Sequence, residues 1–281
     1  MEAVAHGVLL DFEHLTLLTV AMGLLISALI RTARGETLEN ENGYGKIRIN
    51  SYGGVDLAAV IMLVAFYYLS FLSGPRDSGT PMMSLDLIVM NLVMNLLLVT
   101  IVLVTVQWVG GRDPVKLFGL KRVTFPQWLL WTGVGVLLAT SLVLYLNAWV
   151  RTEWLEPVFG QMKEQQEVDS MKNTSDLGLK IGLIMSACIV APIVEELVFR
   201  GYIYGVLKKF SSSLFAMIVA GALFAAVHLN LPALLPLWIL AIVLTMSYEL
   251  SGSLWVPIGI HAGFNTISIV FMLNGVGEGA P

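Results

Sequence analysis

Residues 190–202 read VAPIVEELVFRGY, two adjacent glutamates and an arginine set in an otherwise apolar run. The fold depends on whether this run lies in a soluble core or in hydrocarbon, and the rest of the chain answers. Of 281 residues, 57% are hydrophobic and 13% charged, against roughly 25% charged in soluble domains. Runs long enough to cross about 30 Å of hydrocarbon fall near residues 15 to 30, 55 to 73, 87 to 109, 127 to 150, 181 to 200, 212 to 228, 233 to 250 and 254 to 273. The expected fold is therefore all-α, a polytopic membrane helix bundle of about eight transmembrane helices. The fifth run can extend as far as Leu207, and the last three are short and tightly linked.

Glu2, Asp11 and Glu13 precede the first run while Arg31 and Arg34 follow it. That is the reverse of a cleavable leader, so this run is expected to be a retained anchor. Trp108, Trp128, Trp149 and Trp255 fall at predicted run ends, where indole rings favour the headgroup level. Residues 31–54 are rich in Gly, Asn and charge and read as an extramembrane linker, with a possible hairpin through NENGYG. Residues 151–180 read as a second extramembrane loop. Alternate loops carry 10 and five Lys and Arg, which by the positive-inside rule puts both termini outside, in the cell membrane.

Several classes drop out on composition. A net charge of -4 without a basic stripe gives no footprint for nucleic acid. The lone Cys188 excludes an internal disulfide or a multi-cysteine metal cluster and reads as a small buried hydrophobe. Asn91 and Asn95, four apart in the Met-rich run 82–98, read as interhelical glue.

The charged triplet remains. A charge at the centre of a spanning helix costs about 2.5 to 3.5 kcal/mol on insertion scales, so Glu195, Glu196 and Arg200 together cost on the order of 8 kcal/mol if ionised. Glu196 and Arg200 stand at i and i+4 in the favourable order and can pair. Glu195 points about 100° away from that pair. A carboxylate with no partner in its own helix, in a low-dielectric setting, is a plausible general base. Its partners must come from other helices. Phe224 and His228 stand at i and i+4 in ALFAAVHLN, as do His261 and Asn265 in PIGIHAGFN. One carboxylate, two imidazoles and an amide are the groups needed to activate a water and stabilise an oxyanion.

Taken in order, Glu195-Glu196 with Arg200, Phe224 with His228, and His261 with Asn265 resemble the CPBP family of membrane proteases. These are CAAX prenyl proteases of the Ras-converting type, bacteriocin-processing enzymes and related bacterial membrane proteins of the Abi group. The resemblance covers about residues 180 to 273, which it marks as the catalytic core at 181–273. Residues 1–150, with about four helices, match nothing of known role. The resemblance implies an intramembrane glutamic endopeptidase acting on a membrane-associated protein or peptide. Glu195 and His228 would activate the water, and His261 and Asn265 would form the oxyanion site. Glu196 and Arg200 would position the motif helix beside Phe224. No cofactor is implied, and Ser186, Cys188 and Ser247 take structural readings.

Two other classes stand beside it. One is a non-catalytic membrane scaffold with a buried polar network. The other is a carrier with intramembrane charges, which lacks the paired broken helices expected of many carriers. Zinc bound by Glu195 and the two histidines is the rival catalytic account, although there is no H-E-x-x-H helix. Helix arithmetic also predicts a strain. With upright hairpins, His261 should miss the level of His228 by about 10 Å or more. A chain broken at Pro232 and Pro236, followed by a short tilted helix from about 237 to 250, would relieve it.

Overall fold

The computed structural model describes residues 45–49, 51–73, 84–150, 153, 166–228 and 230–274. Among these residues the chain is helical with no strand. In chain order the helices are α1 (Gly54–Ser73), α2 (Leu85–Val109), α3 (Pro114–Leu117), α4 (Phe125–Val150) and α5 (Gln166–Asn173). They continue as α6 (Leu177–Phe210), α7 (Ser213–Ala226), α8 (Leu231–Ser251) and α9 (Trp255–Leu273).

Five of these are long and apolar enough to cross a membrane: α2, α4, α6, α8 and α9. Two further apolar helices, Gly54–Leu69 within α1 and Ser213–Ala226, are shorter. The chain is thus a multi-span helical membrane protein with five such spans among the described residues, not a demonstrated eight. The predicted anchor at 15 to 30 and most of the NENGYG stretch lie outside those residues. The loop expected at 151–180 includes the short helix α5 and the first turn of α6.

Local chemistry sets the ends. Asp176 caps α6 by accepting from the Gly178 and Leu179 amides, Ser212 caps α7, and Asn230 caps α8. Gly252, with φ of 72°, closes α8 in the left-handed region that glycine adopts without penalty. The break expected at Pro232 and Pro236 does not occur, since α8 runs unbroken from 231 to 251. Pro232 sits in the first turn, where its missing N–H has no intrahelical partner to lose. Pro236 deletes one bond and the helix continues through it.

The bundle is organised around α6 and α4. The main core joins α1, α2, α6 and α7 through residues such as Leu57, Val102, Tyr202 and Phe224. A second core joins α4, α8 and α9 through Ala139, Leu244 and Ile260. Gly135 on α4 faces Ile260, while Gly259 and Gly263 on α9 face Thr132 and Val136. These small residues let the two backbones approach closely, the usual driving geometry between helices in lipid.

α6 is a composite. Ser186–Val190 and Glu196–Tyr204 are π-helical, with α-helical turns before, between and after them. Stretches of π-helix are rare and concentrate at functional sites. Here the boundary falls between Glu195 and Glu196.

Candidate active site

Three elements meet at the α-to-π boundary of α6. The two glutamates occupy different environments although they adjoin in sequence. The Glu196 side chain is wholly buried, whereas that of Glu195 is 27% exposed. Glu196 Oε1 accepts from Arg200 Nη1 at 2.8 Å and from His261 Nδ1 at 2.8 Å. The first of these is the i, i+4 pair that the spacing suggested, and the second ties α6 to α9.

Glu195 Oε2 faces both imidazoles. It lies 3.8 Å from His228 Nε2 and 3.9 Å from His261 Nε2. Those separations exceed a direct hydrogen bond. The tautomers follow from the far side of each ring. His228 Nδ1 lies 2.6 Å from the Phe224 carbonyl, which can only accept, so Nδ1 carries the proton. His261 Nδ1 likewise donates to the Glu196 carboxylate. With Nδ1 committed in each ring, a neutral imidazole turns a bare Nε2 towards Glu195 and a protonated one an Nε2–H.

The predicted mismatch in depth is absent, since both rings reach the same carboxylate oxygen. The arithmetic assumed that α8 and α9 run as an upright hairpin. Instead each packs more extensively on α4 than on the other, so α9 need not track the full length of α8.

Phe224 joins the set from below. Its ring is buried, edge-on to Phe199 at 5.3 Å and to His261 at 5.8 Å, and 4.7 Å from the His228 ring. The Arg200 guanidinium carbon sits 4.2 Å over the same ring. A buried cation over an aromatic face gains attraction beyond its carboxylate partner. Tyr67 of α1 packs against Phe199 at 6.2 Å, which extends the cluster to the N-terminal half.

Asn265 has a role that sequence reading missed. Its Nδ2 donates to the Ala187 carbonyl at 2.8 Å. Ala187 belongs to the first π stretch, where bonds run from residue i to i+5. The N–H that would continue that ladder onto Ala187 belongs to residue 192, which is proline and has none. Asn265 supplies the missing donor from α9. Pro192 was the available signal, because a carbonyl freed inside a membrane helix has to be satisfied by a neighbour. One amide proton of Asn265 remains for other use. The Glu196–His261 bond had no comparable signal, since nothing in spacing links positions so far apart.

Among the described residues, no three His, Cys, Asp or Glu side chains are grouped so as to hold a metal ion.

The spanning helix bundle thus brings one carboxylate and two imidazoles together. Residues 177–267 match the family described as Type II CAAX prenyl endopeptidase Rce1-like. The putative membrane peptidase YdiL of Bacillus subtilis (strain 168) is 29% identical over 119 residues, which cover 42% of this chain and 48% of that protein. The match thus spans about half the length of the curated relative. No solved structure matches the chain. All three motifs fall inside the region, residues 177–267, that matches this Rce1-like family.

Proposed function

We propose that this protein is an intramembrane glutamic endopeptidase that hydrolyses a peptide bond of a membrane-associated protein or peptide. The observation that carries the reading is the approach of His228 Nε2 and His261 Nε2 to one oxygen of the partly exposed Glu195 side chain, at 3.8 and 3.9 Å. Groups so spaced can share one bridging water.

Glu195 takes a proton from that water as its oxygen attacks the carbonyl carbon. The bare Nε2 of His228 accepts the water's other hydrogen and orients it. The carbonyl oxygen becomes an oxyanion. His261, whose Nδ1–H is committed to Glu196, offers an Nε2–H to it in its protonated form, with Glu196 as counter-charge. The second amide proton of Asn265 is the other donor. Collapse breaks the C–N bond, and the proton on Glu195 passes to the leaving amine. Glu196, Arg200 and Phe224 position these groups. The family description, a CAAX prenyl endopeptidase, supports a lipid-anchored polypeptide as substrate.

The test is cleavage of a peptide library by detergent-purified protein, wild type against Glu195→Gln, each with and without a strong chelator. Cleavage that survives chelation and vanishes in the variant supports metal-independent hydrolysis. Loss on chelation moves the chemistry to zinc, and no cleavage by the wild type favours a scaffold.

A further inference from the structure

The groups assigned to chemistry all lie in the last third of the chain, yet a side chain from residue 52 is seated on the motif helix. Gly205 in RGYIYG leaves a notch on α6 that the Tyr52 ring fills, while Gly201, four residues earlier, faces Phe118 and Leu254. A Cβ at Gly205 would come within 2.9 Å of Tyr52 Cε2 and 3.0 Å of its Oη. The hydroxyl donates to the Gly201 carbonyl at 3.0 Å. Five residues, the bonding step of a π-helix, separate Gly201 from Glu196. The peptide that Tyr52 holds is therefore one ladder step along from the residue that holds His261.

Tyr52 is itself held on several sides. Arg112 lies over its ring with Cζ 5.1 Å from the centroid, and Tyr202 meets it edge-on at 6.0 Å. Asp56 accepts from Arg112 at 2.6 and 3.0 Å and from the Tyr202 hydroxyl at 3.1 Å. Burial, more than any neighbouring charge, holds the Tyr52 phenol well above its ordinary range, so it stays protonated and donating. A tyrosine in a stretch that reads as a polar linker is 4% exposed and sits inside the main core.

Resting on the proposed function, we propose that Tyr52 is a positioning residue: its hydroxyl, held on the Gly201 carbonyl while the ring packs at Gly205, fixes the π register of α6 and through Glu196 the orientation of His261. The N-terminal half thereby contributes to the site without touching substrate.

Tyr52→Phe keeps the ring that fills the notch and removes only the donor. Gly205→Ala keeps the hydroxyl and displaces it, at a helical position where alanine is favoured. In nanodiscs each variant is compared with wild type by ¹⁵N-histidine NMR of His261 and by amide exchange across 196–204. The expected result is a shifted His261 Nδ1 resonance and faster exchange in both, with no further change in the double variant. Once the cleaved peptide is known, kcat falls about five-fold with KM unchanged, the scale of one neutral hydrogen bond. An unchanged resonance and exchange overturn the proposal. So does a kinetic loss confined to KM. If the wild type cleaves nothing, the functional reading fails while the NMR and exchange results still decide the role of Tyr52.

Discussion

Glu196 holds the His261 ring by its Nδ1 at 2.8 Å, joining helices whose two residues stand 65 apart in sequence. The same oxygen also accepts from Arg200, so one buried carboxylate fixes both a cation and a site imidazole. Glu196→Gln should leave Arg200 buried without its charge partner and cost about 3 to 5 kcal/mol. Thermal unfolding in detergent should show the loss, and cleavage should fall with it.

Glu195→Gln should behave differently. Its carboxylate makes no direct hydrogen bond to either imidazole and is partly exposed, so the melting temperature should hardly move. Removal of the general base should lower kcat at least about 100-fold. A variant that melts like wild type and still cleaves would remove Glu195 from the chemistry.

Asn265 carries a structural and a proposed catalytic role that can be separated. Asn265→Ala leaves the Ala187 carbonyl without its donor, at a cost of about 1 to 3 kcal/mol. Adding Pro192→Ala restores a backbone N–H at the position that the π ladder requires. The double variant should regain stability and remain slow in cleavage. Recovery of full activity would mean that Asn265 serves only the helix.

Phe224→Ala removes the surface on which His228, His261 and Arg200 all rest, and should cost about 3 to 5 kcal/mol. Phe224→Leu should keep much of the stability yet lower kcat, since the edge-on contacts that orient the rings are lost. Denaturant titration and kinetics on the same preparations separate the two effects.

How much of this was legible in the sequence differs from one feature to the next. The long apolar runs located α2, α4, α8 and α9 to within a few residues, whereas α6 runs on to Phe210 and the run at 212–228 gives only a shorter helix; the i, i+4 spacing predicted the Glu196–Arg200 pair. The motif residues were found because charge and imidazole are costly in hydrocarbon and so stand out there. The π stretches were not readable, because the same residue types support α-helix and the choice is made by tertiary contacts such as those of Asn265 and Tyr52. The 31–54 stretch reads as a linker by composition, but Ile49 and Tyr52 within it are buried. The seat of Tyr52 is Gly205 and the Gly201 carbonyl, about 150 residues away, which no local pattern reveals. Pro232 and Pro236 misled in the opposite direction, since one fell where its N–H was dispensable.

A second buried charge pair tests whether polar groups in this bundle always serve chemistry. Lys208 lies 2.5 Å from Glu249, whose Oε1 also accepts from the Tyr204 hydroxyl. Lys208→Ala should destabilise by about 3 to 5 kcal/mol through the stranded carboxylate. The pair Lys208→Met with Glu249→Leu should recover most of that loss. Cleavage per folded molecule should stay at the wild-type level in the double variant, measured after removal of aggregate.

The contrast between a sealed glutamate and an accessible one directly beside it also makes the site open to chemical footprinting. A small carboxyl-activating reagent that reaches the site should label Glu195 and spare Glu196, and mass spectrometry of the peptide spanning 190–202 can tell the adjacent positions apart. Any molecule that covers the exposed part of Glu195 should protect it from that label. Ligands, inhibitors and substrates could thus be ranked by protection alone, before a single cleavage product is known.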